Sequence, residues 1–384
     1  MASIEDLRQA LADRQRLPPE QARTMPSGFY TSEAFLDLER EQIFRKEWVC
    51  LGHVGEAGEP GSFFTTELVG EPLLVVHGRD GVIRVLSNVC RHRAHPVAKG
   101  SGKAKAFACP YHGWTYDTAG RLTDAWLMDS LPDFDKAQCP LPAFRTEIWQ
   151  NFIFVNLSGD AEPLAPRLAP LLPSIEGYQH QDRRHVFAAD DVWNTNWKCL
   201  TENFMEGYHL SITHRKTLHP ITPTVLSEKV PGSVHFTAYR SPYSPETPER
   251  GPYHPKLDAS LRRVSTLFCI FPSFVVSYAS HFTLYMCLRP KSVSEVAIHW
   301  GVAGYVPSRD APEVQAYVDL CNAFNAEDRQ KLEALQTSMS TRHFQSGRLA
   351  PAPFEGTIWD FYLFMADRLV GPAPRSAKLP AAAE

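Results

Sequence analysis

Two short stretches of the 384-residue chain gather residue types that bind metals. Cys90-Arg91-His92 is followed, sixteen residues later, by Cys109-Pro110-Tyr111-His112. A C-x-H and a C-x-x-H pair together supply two thiolates and two imidazoles. Such a set suits one tetrahedral zinc, or a cluster of two irons and two sulfides with the thiolates on one iron and the imidazoles on the other. The surroundings favour the cluster. Each pair follows a short β-like run, at 82–86 and 105–108, so two loops can face each other across a pair of irons. Gly113 and Gly120 let the backbone turn there, and Pro110 stiffens the second loop. Histidine ligation also makes such a cluster easier to reduce than an all-cysteine one. His95 lies outside the paired pattern and reads as a surface or outer histidine. Gly100-Ser101-Gly102-Lys103 fails as a phosphate loop, because Val97 replaces the leading glycine and Ala104 follows the lysine.

The second stretch is 196–214. Glu202, Glu206 and His209 are spaced i, i+4, i+7 and are expected on one helix face, with His214 five residues further on, where the helix should be ending. Two imidazoles and one carboxylate make the facial triad of non-haem Fe(II) oxygenases, which leaves positions open for O2 and substrate. A reducible cluster requires something to reduce, so the two constellations support each other. Spacing leaves the third ligand open among Glu202, Glu206, Asp310, Glu313, Asp319, Glu327, Asp328 and Glu333.

The remaining sequence must position these groups. The length suggests about two domains, and a net charge of −4 without a clustered basic surplus argues against a nucleic-acid partner. No apolar run reaches the roughly 18 residues of a membrane helix. The acidic, polar start is unlike a secretory signal, and the eight scattered cysteines do not form a disulfide framework, so a cytoplasmic protein with reduced thiols is expected. A helix should end near Pro18-Pro19, and Ser32 can cap another over 33–43. Short β-branched and aromatic runs broken by glycine over 61–120 read as a small all-β unit, with a hairpin joining 73–77 to 82–86 through Gly78-Arg79-Asp80-Gly81. Residues 146–157 read as one strand and the proline-rich 163–173 as a crossing loop. Strands are expected at 185–193, 234–239, 264–270, 274–288 and 295–306, a partly helical segment at 197–214, and helices at 311–338 and 355–370. Strands followed by helices indicate an α+β second domain.

These residues resemble the α subunits of Rieske ring-hydroxylating oxygenases. The resemblance runs over nearly the whole chain: N-terminal helix, cluster insert, Asn196-Trp197-Lys198, Glu202-Asn203, then acid-x-x-His-x4-His. It implies a helical arm at 1–44 packed on the catalytic domain, an all-β Rieske [2Fe–2S] domain at 45–160, and a mononuclear-iron catalytic domain at 161–375. The last would be α+β, a helix-grip (START-like) antiparallel sheet flanked by helices, with a disordered tail at 376–384. Cys90, His92, Cys109 and His112 would hold the cluster. His209 and His214 would hold a mononuclear Fe(II) that uses O2, with a late carboxylate eight residues before a glutamine. Asp328, before Gln336, fits that description, with Glu327 second. Glu206 would then be a catalytic bridge rather than a ligand, linking His209 to His112 of a neighbouring subunit in a homotrimer.

Glutamate at the bridge is similar to the branch that oxidises quaternary ammonium compounds: carnitine, glycine betaine and choline monooxygenases and stachydrine demethylase. A trimethylammonium group would need an aromatic cage. Asn203, Phe204, Phe271 and Tyr285 are the pocket candidates, with Phe268, Phe274, Tyr278 and Trp300 also available. Gly207 and Leu210 stand where cysteines often flank the Tyr-His pair in that branch. Aromatic-acid hydroxylases, dioxygenases and O-demethylases share the scaffold, and a non-catalytic electron carrier would need only the first constellation. The chain carries neither a G-x-G-x-x-G dinucleotide fingerprint nor a plant-type ferredoxin C-x4-C-x2-C run, so a separate NAD(P)H-dependent flavin/iron–sulfur reductase is the expected partner.

Overall fold

The computed structural model describes residues 3–372, so the expected tail at 376–384 lies outside the described residues. Two seven-stranded antiparallel sheets and one three-stranded sheet carry the fold. In the first, the spatial order is Val49–His53, Phe152–Asn156, Ala143–Trp149, Ile83–Ser87, Glu71–His77, Ser62–Leu68 and Ser101–Lys103. The hairpin through Gly78–Gly81 pairs Leu73 with Ser87 and His77 with Ile83, and Gly81 takes the φ of +80° that such a turn assigns to glycine. The small sheet, Ala106–Ala108, Thr115–Asp117 and Leu122–Asp124, sits on this unit.

The second large sheet runs Arg184–Trp193, Glu295–Gly304, Phe282–Ser292, Phe274–Tyr278, Val264–Ile270, Phe236–Pro242 and Glu228–Val230. Helices Trp197–Met205, Pro312–Met339 and Ala352–Leu369 accompany it, giving the α+β class expected. The described helices include none long and apolar enough to cross a membrane.

Three expectations need correction. Residues 146–157 are a hairpin, not one strand: the chain reverses at Gln150 and Asn151, whose φ values are 49° and 62°. The apolar run continues on both sides of this turn, and Gln-Asn lacks the usual glycine signal. Residues 274–288 likewise fold back, at Ala279-Ser280-His281, between strands Phe274–Tyr278 and Phe282–Ser292. The segment 163–173 contains two short helices, Leu164–Leu168 and Leu172–Ile175, instead of a crossing loop. Pro173 lies in the first turn of the second helix, where a missing N–H breaks no helical bond.

The helix Trp197–Met205 is fixed at its start by Asn196-Trp197-Lys198. The Asn196 side chain caps it by accepting from the Lys198 N–H at 3.0 Å, and its amide donates to the carbonyls of Tyr30 and Val293. The Asn196 N–H donates to Gln336 Oε1 at 2.8 Å, which ties this helix to Pro312–Met339. Trp197 Nε1 and Lys198 Nζ both donate to the Glu39 carboxylate, at 2.9 and 2.6 Å, and the Lys198–Glu39 pair is almost wholly removed from water. Burial raises the Glu39 pKa and the Lys198 charge opposes that rise. Removing one member of such a pair strands a buried charge. Lys198→Ala should therefore cost about 3–5 kcal/mol in denaturant unfolding, and a loss below about 1 kcal/mol would show the pair to be incidental.

Candidate metal centres and the cavity between them and the surface

The helix bearing Glu202 stops at Met205, and Glu206 is extended with φ −120° and ψ 154°. Glu202, Glu206 and His209 therefore do not share a helix face. Gly207 explains part of the break: a Cβ there would lie 2.2 Å from Ser227 Oγ, and glycine is a poor helix former. Thr357 Oγ1 takes the carbonyl of Met205 at 2.9 Å. A single turn, Leu210–Thr213, then brings His214 back beside His209.

The result is a convergent trio. His209 Nε2 and His214 Nε2 are 3.2 Å apart, and Asp328 Oδ1 lies 3.0 Å from the second and 3.7 Å from the first. The outer nitrogens are held elsewhere. Glu206 Oε1 meets His209 Nδ1 at 2.5 Å, and Glu327 Oε2 meets His214 Nδ1 at 2.8 Å while also accepting from Thr217 Oγ1. Burial acts to lower the pKa of His209, but the charge and hydrogen bond of Glu206 outweigh it and the pKa is raised. Asp328 Oδ1 is buried and has no hydrogen-bond partner among the described residues. Two imidazole lone pairs and an unsatisfied carboxylate oxygen aimed at one point fit a divalent cation, and nitrogen plus oxygen donors suit iron. Among the described residues this is the sole set of three or more such side chains whose ligand atoms all lie within 4.8 Å of one another.

Cys90, His92, Cys109 and His112 are brought to neighbouring loops but do not close on one point in that way. A tetrahedral zinc would draw them to edges of about 3.3–3.8 Å. The two thiols are buried together, and desolvation followed by contact with Cys90 raises the Cys109 pKa against backbone N–H bonds from Tyr111 and His112. The two imidazoles pair nearer the surface, with ring centroids 4.5 Å apart, and His92 stacks on Trp114 at 4.9 Å. Tyr116 places its hydroxyl 3.5 Å from Cys90 Sγ and accepts from the Arg91 N–H at 3.0 Å. Thiols inside and imidazoles outside suit two irons in line rather than one ion.

A cleft of about 800 Å³, counting its open mouth, is lined in part by His209, His214 and Asp328. Asn203 and Phe204 line it, but Phe271 and Tyr285 do not. Strand residues alternate faces, so Leu284 looks into the cleft while Tyr285 points away and donates to Glu56 at 2.9 Å. Phe271 stacks on Phe364 at 4.8 Å. Phe268, Phe274 and Tyr278 pack in the core behind the sheet, and Trp300 packs on Phe187. The aromatic lining comes instead from Tyr239 and Tyr243 on one edge and Tyr317 and Phe324 on the long helix. Tyr317, Phe324 and Asp328 recur at intervals of seven and four, a helical stripe present in the sequence but not read from it. Glu202 turns to Tyr30 Oη, at 2.9 Å, and burial lifts its pKa to about 8.

Residues 177–371 match the ring hydroxylating alpha subunit (catalytic domain), and residues 47–135 match the Rieske [2Fe-2S] domain. The carnitine monooxygenase oxygenase subunit of Acinetobacter baumannii is 35% identical over 199 residues, 51% of this chain and 54% of that protein. The chain thus spans about half the length of the first curated relatives it matches. The chloroplastic choline monooxygenase of Beta vulgaris is 26% identical over 92% of this chain and 78% of its own length. In fold, the chain superposes on the quaternary ammonium Rieske monooxygenase CntA with TM-score 0.83, 24% identity and coverage of 93% and 98% of the two chains. Naphthalene 1,2-dioxygenase from Rhodococcus sp. gives TM-score 0.82 at 19% identity, covering 97% and 100%.

Asp328→Ala should lower the iron content from about three to about two per chain while the visible absorbance of the cluster persists; unchanged iron would remove Asp328 from the ligand set. Glu202 holds its proton in the folded state between pH 4.5 and about 8 and releases it when unfolded. The stability this supplies below pH 4.5 is lost as pH rises through 8. Glu202→Gln should therefore raise the melting temperature more at pH 8 than at pH 5, and an equal effect at both would contradict the shift.

Proposed function

This chain belongs to the ring hydroxylating alpha subunit family of Rieske oxygenases, and we propose that it is the oxygenase component of a monooxygenase acting on a small quaternary-ammonium compound. The observation that carries the reading is the convergence of His209 Nε2, His214 Nε2 and Asp328 Oδ1, unpartnered among the described residues, in the lining of a cleft. An electron carrier would have no use for such an arrangement. The substrate class follows the carnitine, choline and glycine betaine monooxygenases among the relatives. Aromatic faces suited to a methylated cation stand beside the trio: Phe324 packs 6.1 Å from the His214 ring, and the Tyr239 hydroxyl donates to the Glu206 carbonyl.

In this reading Cys90, His92, Cys109 and His112 hold the 2Fe–2S cluster, and His209, His214 and Asp328 hold the mononuclear iron. When bound, the cluster relays single electrons and the ferrous ion activates O2. Glu206 and Glu327 keep the Nδ1 protons of their histidines in place, which fixes the tautomer and leaves Nε2 as the donor. The apolar walls of Leu218, Leu267 and Leu284 limit water around the reacting carbon. Two electrons arrive from a separate NAD(P)H-dependent flavin/iron–sulfur reductase, one oxygen atom enters a C–H bond and the other leaves as water. Hydroxylation of an N-methyl group would release formaldehyde and a demethylated amine.

The assembly in this reading is a homotrimer in which Glu206 faces the cluster of the next copy. Large exposed apolar residues support it on both surfaces: Ile212 and Tyr208 beside Glu206, at 83% and 55% exposure, and Trp126 and Tyr111 near the cluster loops, at 72% and 52%. Eight unpaired cysteines suit the reducing cytoplasm.

Light scattering should return about three times 43.2 kDa; a monomer would contradict the relay between copies. Glu206→Ala should cut turnover roughly 100-fold with the cluster spectrum intact. With 18O2, product should carry one label and water the other, whereas two labels in product would mean dioxygenation.

A further inference from the structure

Arg250 is one of the residues lining the cleft, its charge acts on His281, Tyr243 and Tyr317 of the same lining, and the machinery assigned above leaves it over. Its backbone carbonyl accepts from Ser280 Oγ at 3.0 Å, but its guanidinium has no hydrogen bond or ion pair among the described residues. A guanidinium stays charged and offers a planar fork of donors matched to a carboxylate. It stands in a largely apolar wall with no acceptor for it among the described residues, and its nitrogens remain open to the cleft. No carboxylate among the described residues takes it, so an anionic group of a ligand in the cleft can.

The charges nearby have the same sign. Arg183 is buried behind this wall, donating to the Ala279 carbonyl at 2.5 Å and Thr283 Oγ1 at 2.9 Å, and it makes no ion pair among the described residues. His281, also lining the cleft, is kept neutral: burial first, then Arg183 and Arg250, lower its pKa to about 3. The sole carboxylate among the lining residues is Asp328.

The residues in the field of Arg250, Tyr243 and Tyr317, are separated along their elements from those beside the iron ligands. Tyr239 contacts Glu206, whereas Tyr243 lies in the field of Arg250 and Arg183. Four residues of extended chain span about 13 Å. The long helix gives a second ruler, since Asp328 and Tyr317 both line the cleft and eleven helical residues rise about 16 Å.

We propose that Arg250 anchors a carboxylate of the substrate, which lies along the cleft with its anionic end on Arg250 and the carbon to be hydroxylated beside His209, His214 and Asp328. The proposal rests on the monooxygenase reading above and narrows it: an acid is accepted, and a choline-like alcohol is discriminated against at that end.

The test is calorimetric binding to the iron-loaded enzyme under anaerobic conditions, with three matched pairs: L-carnitine and its methyl ester, glycine betaine and choline, 4-methoxybenzoate and 4-methoxybenzyl alcohol. At least one acid should bind about tenfold or more tightly than its uncharged-end partner. Arg250→Gln should erase that preference and Arg250→Lys should keep part of it, both with the visible spectrum and melting temperature of the parent. Equal binding within every pair, no binding by any acid, or an undiminished preference in Arg250→Gln would overturn the anchor. Reductase-coupled O2 uptake separates the two readings. Choline oxidised as well as the acids keeps the monooxygenase and removes the anchor, while an acid held by Arg250 without O2 uptake keeps the anchor and removes the monooxygenase.

Discussion

Two carboxylates gripping the outer nitrogens of two imidazoles organise everything else in this chain. Glu206 and Glu327 each occupy an Nδ1, so His209 and His214 have no choice but to face one another through Nε2, with Asp328 Oδ1 closing the third side. Without a cation the arrangement is unfavourable: a buried, unpartnered carboxylate oxygen costs about 1–3 kcal/mol or more, and two imidazole lone pairs gain nothing from proximity. The surrounding elements are tied down independently of the site.

Those ties run through residues remote from the chemistry. Asn196 joins the start of its helix to Gln336, eight residues beyond Asp328 on the long helix, so the histidine segment and the acid are registered by one hydrogen bond at 2.8 Å. Glu39, on the N-terminal arm, receives Trp197 and Lys198 and stops that helix from sliding. The same long helix that delivers Asp328 carries Phe324 and Tyr317 away from it along the cleft. Ligation, walls and the cationic end are thus built on a shared scaffold, and a shift in that helix would alter all three.

What the sequence disclosed follows from how local each signal is. The C-x-H and C-x-x-H pairs are legible because each spans a single tight loop. The α+β class of the second half is legible because its strands and helices have distinct periodicities. The expectation that Glu202, Glu206 and His209 share a helix face failed because Gly207 meets Ser227, a contact between segments twenty residues apart. Phe271 and Tyr285 were misplaced since strand parity tells which residues share a face but not which face looks inward. The hairpins at Gln150-Asn151 and Ala279–His281 were hidden inside continuous apolar runs. Arg250 lies in an irregular segment with no motif, and only the folded chain reveals that its guanidinium has no hydrogen-bond or ion-pair partner among the described residues.

Anomalous diffraction from crystals of the purified protein, collected at the iron edge, would test the two-centre arrangement most directly. Two separate iron features per chain are predicted. One is an elongated pair among Cys90, His92, Cys109 and His112. The other is a single ion within coordination distance of His209 Nε2, His214 Nε2 and Asp328 Oδ1. A single ion clasped by the four cysteine and histidine side chains, or no iron at the trio in a fully loaded and active preparation, would contradict it.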